Sequence, residues 1–153
     1  MRSNPAKTML RVVLDTNIVV SGMLWSGVPS KIVEAVYTRR IRPVVTELLL
    51  DELSSVLGRP KFENRLKLVG KSVDELIHDY VVFAEIIDSQ PLPRPVSVDR
   101  DDDMFIACAI AGKVTYLVSG DPHLLNVGRY EDVQIITAVA LLPLMSVNPS
   151  MPE

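Results

Sequence analysis

The sequence predicts an α/β fold: a mainly parallel β-sheet covered on both faces by helices. Two observations carry this reading. Short β-branched runs alternate along the chain with stretches of helical periodicity, and parallel strands need crossovers that are usually helical. Two acids, Asp15 and Asp121, also stand at the carboxyl ends of strand candidates, where sheets of this kind build their sites. A chain of 153 residues that is 48% hydrophobic is the right size for one domain with a real core. The expected organisation is a single domain over 1–146 and a disordered tail over 147–153.

Leu10 to Leu14 is a buried strand that ends at Asp15. A loop through Gly22, Gly27 and Pro29 is expected next. Ile32, Val33 and Val36 then lie at helical spacing within 30–39, and Arg42 to Val45 forms the second strand. Thr46 is the N-cap of a helix that reaches Leu57 and stops at Gly58 and Pro60. Lys61 to Val69 reads as a short basic helix, and Ser72 with Glu75 makes a capping box that opens a longer helix through Tyr80. Ala84 to Ser89 is a strand or an extended segment. Pro91, Pro93 and Pro95 exclude regular structure from the connection over 90–98. The acidic run from Asp99 to Asp103 opens an alanine-rich helix ending near Gly112, Tyr116 to Val118 is a strand, and Val133 to Ile136 is the last strand before a helix starting near Thr137.

Composition narrows the chemistry. A formal net charge of -3 does not advertise nucleic-acid binding, so any such site must be local. Cys108 is the only cysteine, which excludes an internal disulfide and a cysteine-based zinc site and points to a reducing compartment. With only His78 and His123, a histidine-rich metal site is disfavoured, which leaves oxygen ligands. The apolar N-terminal run is interrupted by Asp15 and the stretch from Val133 to Met145 by Pro143, so a soluble cytoplasmic protein with no membrane segment is expected.

The informative acids lie on the wrong faces of their helices. Around the helix from Glu47, residues Leu48, Leu49, Leu50, Leu53, Val56 and Leu57 share one broad arc, and Glu52 falls inside it while Glu47 and Asp51 fall outside. The same construction from Asp101 to Gly112 puts Asp102 among Phe105, Ile106 and Ala109, with Asp103 at the edge. A buried carboxylate without a partner is costly. Two such acids, joined by Asp15 and Asp121 at strand ends, make a four-carboxylate cluster that hard divalent ions such as Mg²⁺ or Mn²⁺ would hold together. The competing roles are helix capping for the acids from Asp101 to Asp103, and a turn or cap for Asp121 before Pro122.

The segments Val12-Val13-Leu14-Asp15-Thr16-Asn17, Glu52 in its leucine-rich helix, Asp99 through Ala109, and Tyr116 through Asp121 together resemble the PIN-domain ribonucleases, in the prokaryotic branch that includes toxins of toxin–antitoxin pairs. The resemblance spans roughly Leu10 to Leu142. It implies a three-layer α/β/α sandwich whose acids bind one or two Mg²⁺ or Mn²⁺ ions for RNA hydrolysis. Asp15, Glu52, Asp102 and Asp121 carry over as the acidic quartet, and Asn17 and Ser119 as supporting polar residues. The run of acids leaves the register open, with Asp99 and Asp103 as alternates to Asp102; the helix-face argument favours Asp102. The resemblance also implies a homodimer and, in the toxin reading, an antitoxin partner.

An RNA backbone would need cations near the acids, and Arg39, Arg40 and Arg42, or Arg59, Lys61, Arg65 and Lys67, are the candidates; a solvated basic face is the competing meaning of both runs. Trp25 is expected to pack a loop rather than stack on a base, His78 to lie on an ordinary helix face, His123 to line the rim of the site, and Cys108 to be inert core. Two rivals differ in class. A small-molecule phosphoesterase of another doubly wound family is weakened by Asn17, which stands where a second carboxylate is wanted. A non-cleaving RNA- or protein-binding module would not need the intact quartet.

Overall fold

The computed structural model describes residues 9–145. The expected tail over 147–153 lies outside them. A six-stranded sheet runs in the order β3-β2-β1-β4-β6-β5, built from β1 (Leu10–Leu14), β2 (Ile41–Val45), β3 (Glu85–Ile86), β4 (Tyr116–Val118), β5 (Arg129–Tyr130) and β6 (Val133–Ile136). Only the β5–β6 edge pair is antiparallel. Leu10 pairs with Ile41 and Leu14 with Val118, so β1 is central and buried.

Successive strand residues point to opposite faces, and the core divides accordingly. Val12 and Leu14 of β1 face one apolar layer made with α1 (Thr16–Leu24), α2 (Val28–Tyr37), α3 (Glu47–Leu57), α5 (Val73–Phe83) and α8 (Ala138–Met145). Val13 faces the other, formed mainly with α6 (Asp103–Gly112) and α7 (Pro122–Val127). The three-layer α/β/α sandwich is present as expected. A short helix, α4 (Glu63–Val69), follows a 3-10 turn over Pro60–Phe62 and contains no buried residue.

Three expectations are corrected. The segment after Asp15 is a helix, not a loop: Asp15 caps α1 by accepting the Asn17 N–H, and Ile18, Val19, Val20 and Leu24 are buried. Gly22 is therefore a packing residue, since a Cβ there would lie 2.4 Å from Val33 Cγ2 and 2.5 Å from the Pro29 carbonyl oxygen across the α1–α2 hairpin. The stretch after α5, by contrast, is a strand over Glu85–Ile86 followed by irregular chain, within the strand or extended segment expected there. Finally, α7 and β5 stand where no element was expected, although Asp121 followed by Pro122 is an N-cap followed by an N1 proline. Pro143 lies inside α8 rather than ending it.

Candidate metal centre

β1 delivers Asp15 to the carboxyl edge of the sheet, where its N–H continues the ladder to the Val118 carbonyl at 2.9 Å. Its carboxylate is 5% exposed. Oδ1 accepts the Asn17 backbone N–H at 3.1 Å, and Oδ2 accepts the Ser119 hydroxyl at 2.6 Å. Ser119, fully buried just past β4, also accepts the Asp121 N–H on its Oγ at 2.9 Å. One hydroxyl thus fixes two acids from distant parts of the chain. Asp121 in turn caps α7, its Oδ1 accepting the His123 N–H at 2.8 Å.

Asp102 arrives by a different route. Residues Arg100–Asp102 form a 3-10 turn ahead of α6, capped by Asp99, whose Oδ1 accepts the Asp101 N–H at 3.0 Å. The turn tucks Asp102 inward to 7% exposure, and its Oδ2 has no hydrogen-bond partner. Oxygens of Asp99, Asp102 and Asp121 and a ring nitrogen of His123 all lie within 4.8 Å of one another. Among the described residues, no lysine or arginine forms an ion pair with any of these acids.

The electrostatics follow. Burial, then the carboxylate of Asp121 and those of Asp99 and Asp15, pushes the Asp102 carboxyl up to about 7. Burial also raises Asp15, opposed by its bonds from Ser119 and Asn17, with Asp121 adding repulsion. Such a set is short of positive charge. The donor set fits a hard divalent cation: opposed ligands of an ion with bonds of about 2.1 Å lie roughly 4.2 Å apart, close to the observed spread, and the orphaned Asp102 oxygen lacks the partner that a cation would supply.

The other sequence candidates scatter. Asn17 is exposed in the first turn of α1 and contributes its backbone N–H. Glu52 is half-buried, as its place in the apolar arc implied, but stands outside the ligand-distance group. It lines a neighbouring cleft of about 480 Å³ with Leu48, Arg100, Asp101 and Met104. Asp103 has a separate task, accepting the Val96 N–H at 3.0 Å and the Ser97 N–H at 2.8 Å, which clamps the proline-rich connection onto α6. Of the two alternates, Asp99 joins the cluster and Asp103 does not.

Arg39, Arg40 and Arg42 lie at the amino-terminal edge of β2, a strand length of about 16 Å from the edge that carries Asp15. Arg59 and Lys61 flank the turn before α4. There Trp25 packs edge-on to Phe62 at 5.8 Å, and the Arg65 guanidinium covers its ring at 5.1 Å, so the indole packs as expected. Cys108 is buried and its thiol pushed up to about 12 by burial, which keeps it unreactive. His123 is the residue that sequence reasoning undervalues. Its signal is the cap at Asp121, which starts a helix and places the imidazole one turn from the acids.

A family profile described as PIN domain matches residues 11–123, and the chain belongs to the PIN domain family. PIN domains are typically metal-dependent nucleases. No curated protein matches the chain at a significant level.

Proposed function

We propose that this protein is a ribonuclease that hydrolyses RNA phosphodiester bonds with Mg²⁺ or Mn²⁺, and that Asp15, Asp102 and Asp121 form its catalytic core. The supporting observation is the Asp102 carboxylate, buried, with no hydrogen-bond partner at Oδ2 and crowded by other acids, Asp121 first, at the carboxyl edge of the sheet. When bound there, a divalent ion polarises the scissile phosphate and lowers the pKa of water for attack. The chain's own residues do the rest. Asp102, Asp121 and Asp99 would ligate the ion, Ser119 and the Asn17 N–H hold the Asp15 carboxylate in place, and Asp15 accepts the proton of the attacking water. Glu52, on the wall of the adjacent cleft, is the outer acid of the quartet. Arg100, which lines the same cleft, offers a cation to the substrate backbone, with Arg59 and Lys61 as further candidate contacts.

The test is cleavage of a mixed RNA pool with Mg²⁺ or Mn²⁺. Asp102→Asn and EDTA should each lower cleavage by at least about 100-fold, Glu52→Gln by less, and hydrolysis of a small phosphoester should be absent. Cleavage by the folded Asp102→Asn protein at the wild-type rate would sink the assignment.

The further proposals are a single domain over 1–146, a cytoplasmic location supported by the lone buried thiol, and the toxin-like branch with an antitoxin partner. Among the described residues no helix is long and apolar enough to cross a membrane. A homodimer is supported by the apolar surface around α4, where Leu68 is 76% and Trp25 41% exposed.

A further inference from the structure

We propose that His123 supplies a nitrogen donor to the divalent cation held by Asp99, Asp102 and Asp121, and that this donor biases the centre toward Mn²⁺ over Mg²⁺. The inference rests on the metal-centre reading and adds a ligand and a preference to it. Position comes first. Pro122 and His123 open α7, and the bond from the His123 N–H to Asp121 Oδ1 pins the backbone from which the imidazole projects. From there a ring nitrogen comes within 4.8 Å of oxygens from three aspartates.

The ring is not committed elsewhere. Its Nδ1 stands 3.8 Å from Asp121 Oδ1, beyond hydrogen-bond range, and neither ring nitrogen makes a hydrogen bond among the described residues. The buried Asp102 Oδ2, with no partner of its own, belongs to the same cluster and points independently to a cation. Asp15 and Glu52, both expected as oxygen ligands, lie outside the group, and Asp99 and the His123 nitrogen stand within it. Chemistry then sets the preference. Mg²⁺ is a hard ion that favours oxygen and gains little from imidazole, whereas Mn²⁺ shares its carboxylate ligands and lies on the series of transition ions that bind nitrogen.

The experiment loads the full chain with Mn²⁺ alone and records pulsed EPR, then titrates Mg²⁺ to displace the Mn²⁺. Wild type and His78→Ala should show ¹⁴N coupling to the bound ion. His123→Ala and His123→Gln should lose it, and the Mg²⁺ concentration that displaces half the Mn²⁺ should fall about tenfold. The His123 side chain is 50% exposed, so both variants should keep the wild-type thermal unfolding in EDTA. Mn²⁺ bound without ¹⁴N coupling, or displacement unchanged in both His123 variants, overturns the assignment of His123 alone. Wild-type protein that binds no Mn²⁺ overturns the metal-centre reading beneath it.

Discussion

Ser119 carries more of the site than its size suggests. Its hydroxyl donates to Asp15 and accepts from the Asp121 N–H, and it is fully buried. Ser119→Ala leaves a buried carboxylate oxygen without its donor and a part-buried N–H without its acceptor. The expected cost is about 2 kcal/mol of stability, with a loss of Mn²⁺ affinity of about tenfold by calorimetry, because a group that orients a ligand is lost. An affinity equal to wild type would show that the hydroxyl holds the fold and not the acids. The residues legible in the sequence are those whose chemistry conflicts with their surroundings: Asp102 and Glu52 on apolar faces, Asp15 and Asp121 at strand ends. Asp103 is set apart from Asp102 in sequence only by its place at the edge of the apolar face. What it does instead depends on the path of the proline-rich connection, which brings two N–H groups to it. His123 is hard to weigh for a related reason, since its value depends on a helix start two residues upstream.

At the scale of elements, the α1–α2 hairpin is the tightest joint near the site. The carboxylate of Asp15 caps α1, so a shift of this hairpin moves the acid that Ser119 ties to Asp121. In Gly22→Ala, better helix propensity gains about 1 kcal/mol, but the new methyl would meet the Pro29 carbonyl at 2.5 Å, and overpacking of this kind costs about 1–3 kcal/mol. The clash outweighs the propensity because one of its partners is backbone. The variant should unfold at lower urea with an unchanged m-value. A midpoint at or above wild type would mean that the hairpin opens without cost. The same glycine explains why α1 is illegible in the sequence: with Gly27 and Pro29 nearby it reads as turn chemistry, whereas its task is to let two helices touch. The central strands are easier to find, because buried parallel strands are short β-branched runs bounded by polar residues, although Ile18-Val19-Val20 of α1 is a run of the same kind.

For the whole molecule, the raised acids predict how stability depends on pH. In metal-free protein Asp102 keeps its proton up to about 7 and Asp15 is raised as well, while in the unfolded chain both ionise near 3.8. Below that value both states are protonated and the full stability is present. Between it and neutrality the folded state holds protons that the unfolded chain has released, so stability falls as pH rises. The melting temperature in EDTA should therefore drop from pH 5 to pH 8, and Asp102→Asn should flatten the slope. Added Mn²⁺ should restore more at pH 8 than at pH 5, since the cation takes the place of the protons. A wild-type melting temperature that is level across this window would remove the electrostatic case for a cation.

The bond between Ser119 and Asp15 joins residues 104 positions apart. A chain made from its N-terminus presents Asp15 early, yet nothing can organise that carboxylate until β4 has emerged and paired with β1. A copy that ends before β4 thus carries Asp15, Asp99 and Asp102 but neither the Ser119 hydroxyl nor Asp121, and its centre is incomplete. Completion of the sheet is in this sense a licensing step, since the acids become one site only after β4 has paired with β1.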